Sequence, residues 1–218
     1  MDKLVLLDKA KANLLIKLLN KEYPDTKYYL DFKTPADLLV AAILSAQTRD
    51  EVVNNITPKL FSHYKNANDY ANSTKEELLD YIKQVSFAGN KASNIIEACK
   101  EIVSKYNGKV PNKIEDLLKL KGIGRKTANT ILINAYGIVE GIPVDTWVIK
   151  LSFRMGLSLN KNPDKIEEDL IGKIEKKYWH NIAYVLKAHG KKICKTIPMC
   201  STCHVKNICP KNGVTEFV

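Results

Sequence analysis

Leu120-Lys121-Gly122-Ile123-Gly124-Arg125-Lys126-Thr127-Ala128 decides how this chain is read. Upstream of it, Pro111 to Leu120 carries Ile114, Leu117 and Leu118 at helical spacing. Asn112 followed three residues on by Glu115 has the form of a capping box. Downstream, Arg125 to Tyr136 carries an apolar stripe through Ala128, Ile131, Leu132 and Ala135. Gly122 and Gly124 between the two segments permit a tight turn with bare backbone. The spacing predicts a helix-hairpin-helix whose turn presents amide N–H groups at the start of a helix. Such a turn binds anions, and for a basic protein a DNA phosphate is the matching anion. On the glycines alone, a plain turn between two packed helices fits equally well. A nucleotide-binding loop does not fit. It needs Gly directly before Lys-Thr and another five residues upstream of that one, but Arg125 intervenes and no strand precedes the turn.

The chain has 218 residues and a net charge of +10, with a pI near 9.2. That length allows one domain or two small lobes with a substantial core. The charge favours an anionic polymer as partner. Arg49, Arg125 and Arg154 are the arginines, and every other formal cation is a lysine. Lysines act as point charges on phosphates rather than as bidentate readers of bases. No apolar run approaches the roughly 18 to 20 residues that span a bilayer. The start, Met1-Asp2-Lys3-Leu4-Val5-Leu6-Leu7-Asp8, has too short an apolar core for a signal peptide and leads into an amphipathic helix through Leu14, Leu15, Leu18 and Leu19. A reducing cytoplasm is the expected compartment, where clustered cysteines signal metal rather than disulfides.

Helical patterning runs nearly throughout, and no alternation is long enough for a strand. Thr34-Pro35-Ala36-Asp37 is a helix start with cap, proline and acid in order, opening an apolar helix to Ala46. Thr48 with Glu51 has the form of a second capping box, opening Asp50 to Tyr64. Ser73 or Thr74 opens the next helix. Gly89 precedes one from Lys91 to Tyr106 that turns Cys99 inward and ends at Asn107-Gly108. Later helices are expected over Thr146 to Met155, Pro163 to Ile174 and Tyr178 to His189. Two junctions are unusual for a plain core. Ser45-Ala46-Gln47-Thr48-Arg49-Asp50 is a polar run between helices, which caps and turns alone also explain. Ser86-Phe87-Ala88-Gly89-Asn90-Lys91 sets a large aromatic among small residues, either as packing or as a wedge for a DNA stack.

Cys194, Cys200, Cys203 and Cys209 fall as C-x5-C-x2-C-x5-C. Four thiolates so close surround one compact centre. Tetrahedral zinc and a four-iron, four-sulfur cluster both satisfy that count, and a single compact loop suits the cluster. His204 lies within the loop and is expected at the surface.

With the hairpin, the cysteine loop and Val144-Asp145-Thr146 in this order, the chain resembles the endonuclease III family of the helix-hairpin-helix DNA glycosylase superfamily. The resemblance runs from about Leu38 to Cys209. It includes Leu44-Ser45-Ala46-Gln47 with Asp50, Asn90-Lys91-Ala92 and His189-Gly190. It implies an all-α, two-lobed fold. One lobe is a six-helix barrel-like domain over residues 28–140; the other combines 1–27 with 141–218 and carries the iron-sulfur loop. It also implies a [4Fe-4S] cluster on the four cysteines rather than zinc, and double-stranded DNA with a damaged base or abasic site as partner, bound between the lobes. A monomer is assumed, and the lack of a long apolar run together with the expected cytoplasmic setting leads to a protein free of membranes and nucleoid-associated. The implied activity is removal of oxidised pyrimidines followed by nicking of the abasic strand.

Position by position, the resemblance makes Lys126 the nucleophile and Asp145 the essential carboxylate. Gly122 and Gly124, with Lys121, Arg125 and Lys91, fall on the DNA side. Gln47 fills the gap left by the flipped nucleotide, and Phe87 stands where the family places a wedge, commonly leucine. Lys195 is the one basic residue of a loop that usually carries several. The first cysteine gap is five residues instead of the usual six, Trp147 replaces a usual histidine, and Ser86 a usual glycine.

The chemistry is coherent from the residues. An amine that attacks the sugar C1′ must be partly deprotonated. The dipole at a helix start and the neighbouring Arg125 both act to lower the Lys126 pKa. The segment from Gly137 to Val144 brings the chain back so that Asp145 caps the helix at Thr146, and a carboxylate there can also stabilise positive charge developing on the sugar. Two rivals stay open at the level of sequence. One is a monofunctional glycosylase for mismatched or alkylated bases, which has no need of the lysine. The other is a non-catalytic module that only grips phosphates.

Overall fold

Caps and glycines set where the helices of this chain begin and end. The computed structural model describes residues 4–218. Met1-Asp2-Lys3, the start of the segment read as lacking signal-peptide character, lies outside the described residues. Among the described residues there is no β-strand, and no helix is long and apolar enough to cross a membrane.

In chain order, α1 (Lys9–Glu22) is capped by Asp8. Next comes α2 (Pro35–Leu44), which opens on the Thr34–Asp37 capping box with both reciprocal bonds formed. After α3 (Asp50–His63) and α4 (Ala67–Ala71) comes α5 (Lys75–Ile82), opened by a Thr74–Glu77 box. Each such cap contributes about 1 kcal/mol by satisfying amides that the helix leaves bare. The longest helix, α6 (Ala88–Tyr106), starts after Phe87 and stops at Asn107, both left-handed. Then follow α7 (Ile114–Leu117) and α8 (Arg125–Tyr136), the hairpin pair. Last are α9 (Thr146–Arg154), capped by Asp145, then α10 (Pro163–Lys173) and α11 (Ile182–Lys192).

Two expected capping boxes do not form. The cap residue of α7 is Lys113, without a side-chain cap bond, so Asn112 plays no such part and the helix is a single turn. The cap residue of α3 is Arg49, again without a side-chain cap bond. Thr48 turns its hydroxyl elsewhere, to the amide of Ser86 and the ammonium of Lys91.

The chain divides into two units. One is Tyr29–Ile138 and holds α2 to α8. Its core is built on fully buried Leu38, Leu39, Leu60, Leu78, Ile82, Ile95 and Ile102, each contributing about 1.5–3 kcal/mol by leaving water. Cys99 is buried on the same face of α6. The other unit joins the described residues up to Tyr28 with Val139–Val218. It packs α1 and α9 to α11 around Leu15, Ile16, Leu19, Leu151, Leu170, Val185 and Leu186.

Candidate DNA-binding and catalytic site

At the hairpin, the two glycines are glycine for different reasons. Gly122 has φ +79°, and a Cβ on it would come within 3.1 Å of the Asn94 side chain. Both facts disfavour a larger residue. Gly124 has φ −97° and ψ 176°, an extended backbone open to any residue, and a Cβ there would meet nothing within 4 Å. It is the cap residue of α8 and makes no side-chain cap bond. The first turn of α8 therefore directs amides outward at an exposed turn with Lys121 and Arg125 on it. Ile123 is buried beneath and its amide donates to the Leu120 carbonyl at 3.2 Å, which anchors the turn.

Lys126 lies in that first turn, half-buried, and its carbonyl accepts from the Thr130 hydroxyl at 2.9 Å. Asp145 lies in the other unit. Its Oδ1 accepts from the Val148 amide at 2.9 Å, so the carboxylate caps α9 while staying half-exposed.

Gln47 and Phe87 share an unusual backbone. Both are left-handed, with φ 53° and 55°. That conformation costs a non-glycine residue roughly 1–2 kcal/mol, and it persists only where surrounding contacts impose it. Gln47 is exposed, and Phe87 is 65% exposed, an aromatic ring held out in solvent. Lys91 is placed differently from expectation. It is only 5% exposed, and its Nζ donates to Leu44 O at 2.7 Å, Ala46 O at 2.6 Å and Thr48 Oγ1 at 2.9 Å. All three of its protons are thereby used inside the protein. A lysine so engaged does not lie on a DNA phosphate, which corrects its assignment to DNA contact. Burial pushes its ammonium down to about 8.

The four cysteines line one small pocket, together with Arg154, His189 and a wall of apolar side chains. Cys194 and Cys203 are buried, Cys200 and Cys209 half-buried. Burial pushes the Cys209 thiol up to about 11 and raises Cys200 and Cys203 as well. Among the described residues no three His, Cys, Asp or Glu side chains converge as one metal ion requires. Sequence reasoning missed two supports of this cavity. The Arg154 guanidinium donates to Lys195 O at 2.6 Å and Thr196 O at 2.9 Å, and lies 3.5 Å from Cys194 Sγ. His189 Nε2 lies 3.6 Å from Cys203 Sγ, and its Nδ1 is 3.0 Å from the Tyr23 hydroxyl. The signal for Arg154 was its rarity among so many lysines. His204 is exposed and pairs with Glu22. Lys195 is exposed on the loop.

Residues 40–176 match the family model described as HhH-GPD superfamily base excision DNA repair protein. The chain is 42% identical to Endonuclease III of Synechocystis sp., covering 93% of each chain. It is 38% identical to Endonuclease III of Bacillus subtilis, covering 86% of each.

The chain belongs to the endonuclease III family.

The fold agrees with that membership. A structure of a trapped Endonuclease III–DNA covalent intermediate superposes with a TM-score of 0.89 at 35% identity, covering 94% of this chain and 97% of that one. A thermostable thymine-DNA glycosylase shares the fold, with a TM-score of 0.84 at 21% identity. One departure from the usual endonuclease III pattern has a local counterpart. Trp147 packs against Gly190, where a Cβ would fall 2.3 Å from the indole ring.

Proposed function

We infer that the protein is a bifunctional DNA glycosylase and abasic-site lyase of base excision repair, acting on oxidised pyrimidines in duplex DNA. The observation that carries this reading is Lys126 in the first turn of α8, two residues beyond Gly124 of a turn that the chain's own packing leaves open. A purely hydrolytic relative has no use for an amine at that place.

In this mechanism the hairpin takes a DNA phosphate on its outward amides, with Lys121 and Arg125 adding charge. Gly124 suits this role because any side chain there would stand between the amides and the anion. The damaged nucleotide leaves the stack, with Gln47 filling the space and Phe87 entering the opposite strand. Lys126 Nζ attacks C1′, and the base departs with the glycosidic electron pair. Loss of the proton from nitrogen and ring opening give a Schiff base between Lys126 and the sugar. Loss of a C2′ proton then expels the 3′ phosphate oxygen and nicks the strand, and water releases the enzyme. Asp145 has the role of stabilising positive charge that develops on the sugar.

Cys194, Cys200, Cys203 and Cys209 suit a [4Fe-4S] cluster better than zinc. Four cysteines within one compact loop, lining one pocket, suit a cluster held by four thiolates. When bound, the cluster cross-links the loop from residue 194 to 209 and holds its backbone, Lys195 included, in one shape. The setting is a reducing cytoplasm, with the protein acting as a monomer on the nucleoid.

A nicking assay tests the activity. A duplex carrying one oxidised thymine is expected to yield a 3′ unsaturated aldehyde end and a 5′ phosphate. Release of the free base with the strand left intact would assign the protein to the monofunctional class.

A further inference from the structure

Lys91 is an oddity that the mechanism above does not use: a buried cation with no acidic partner among the described residues, bound instead to the two loops that carry Gln47 and Phe87. Its acceptors are the carbonyls of Leu44 and Ala46 and the hydroxyl of Thr48, which bracket Gln47. The same Thr48 hydroxyl accepts from the amide of Ser86 at 3.1 Å, immediately before Phe87. The chain from Lys91 back to its own helix start is also short. Its amide donates to the Phe87 carbonyl at 3.1 Å. One ammonium and one hydroxyl thus close a ring of hydrogen bonds through both left-handed residues.

We propose that Lys91, acting through Thr48, is a positioning residue that clamps the Gln47 and Phe87 tips into a single rigid device for opening the DNA stack.

The physics favours this over a purely structural lysine. A left-handed backbone at Gln47 and at Phe87 relaxes unless held, and relaxation would turn either side chain away from its exposed direction. Lys91 also caps the end of α2, where a cation meets the negative end of the helix dipole and the bare carbonyls of the last turn. A side chain that fixes the carbonyls on one side of Gln47 and the hydroxyl on the other leaves that loop one geometry. Sharing the hydroxyl with Ser86 gives Phe87 the same reference point. An insertion device that is already ordered loses little freedom on binding, so its contacts are spent on unstacking the DNA.

The proposal rests on the insertion role of Gln47 and Phe87 given above, and the test separates the two. Lys91→Met, Thr48→Val, Gln47→Ala and Phe87→Ala are compared with the wild type on two substrates. One is a duplex with a paired oxidised thymine beside 2-aminopurine, whose fluorescence rises on unstacking. The other is a single-stranded oligonucleotide with one abasic site, where there is no stack to open. Borohydride trapping is read on the second. Lys91→Met and Thr48→Val are expected to lose at least tenfold in the rate of the fluorescence rise and of nicking on the duplex. Trapping on the single strand is expected to stay within twofold of wild type. In a Phe87→Ala background, adding Lys91→Met is expected to cost less than twofold further, because the device it holds is already broken. Gln47→Ala and Phe87→Ala showing no duplex-specific loss would overturn the insertion role itself. Loss in those two but full fluorescence rise in Lys91→Met and Thr48→Val would overturn the clamp alone. Equal loss on both substrates in Thr48→Val, which leaves the Lys91 contacts to carbonyls in place, would make the link structural and also overturn the clamp.

Discussion

Asp145 and Lys91 each have a structural duty in the fold, beside which the proposals above set a functional one. Asp145 caps α9 through Oδ1, and asparagine caps as well as aspartate does. Asp145→Asn is therefore expected to keep the unfolding free energy within about 0.5 kcal/mol while lowering turnover by about 100-fold or more. Asp145→Ala should lose about 1 kcal/mol of stability in addition. Denaturant titration beside a single-turnover assay checks both, and a stable, fully active Asn variant would confine Asp145 to capping. For Lys91, burial holds the folded-state pKa at about 8, below the usual lysine value. Between that value and the ordinary one the unfolded chain binds more protons, so this group makes stability rise with pH across the window. The melting temperature of the wild type should thus gain on that of Lys91→Met between about pH 8 and pH 10. A constant difference would show the ammonium to be unshifted. Some of this scale is legible in the sequence: residue type and order are what single out Lys126, Asp145 and the cysteines as candidates. Lys91 was not, because its role depends on three acceptors far away in the chain, and a lysine beside a loop looks the same whether it faces a phosphate or a buried carbonyl.

Among the elements, the hairpin pair α7 and α8 is the instructive case. Local signals placed α8 well, since its apolar stripe and the glycine before it act over a few residues. The same signals overstated α7, where Asn112 and Glu115 have the letters of a capping box but the chain gives the cap position to Lys113. Thr48 fails as a cap for a more interesting reason: its hydroxyl is taken by Ser86 and Lys91, a tertiary demand that outranks the local one. The two glycines of the turn make a matched pair for experiment. Gly122→Ala should destabilise the fold by about 1–2 kcal/mol, because an L residue at positive φ is strained and Asn94 crowds it. Gly124→Ala should leave stability within about 0.5 kcal/mol, as nothing in the chain stands in its way. On the phosphate contact proposed above, it should nevertheless weaken duplex binding severalfold, since its methyl would crowd the anion. Thermal melts and fluorescence anisotropy in the same buffer separate the two. Equal binding by Gly124→Ala and wild type would remove the turn from the DNA interface.

Across the whole molecule, an excess of lysine over arginine gives a surface suited to phosphates, and the helical caps and apolar stripes give an all-α chain in two units. Composition gives no sign of the division into units, as no Pro/Gly-rich linker separates them and one unit is assembled from both ends of the chain. The cysteine loop joins function to stability in the second unit. Purified protein is expected to carry four irons and four acid-labile sulfides per chain, with zinc absent, in keeping with the ligation proposed above. Cys209→Ala should lower iron content and melting temperature together; one equivalent of zinc and no sulfide would reassign the centre. The most direct test of the chemistry is borohydride trapping on a duplex with one abasic site. Wild-type protein should form a covalent adduct with the DNA, and Lys126→Gln should bind the duplex normally yet form none. An adduct of undiminished yield in Lys126→Gln would place the nucleophile elsewhere, and no adduct from the wild type, with DNA binding intact, would contradict the lyase reaction.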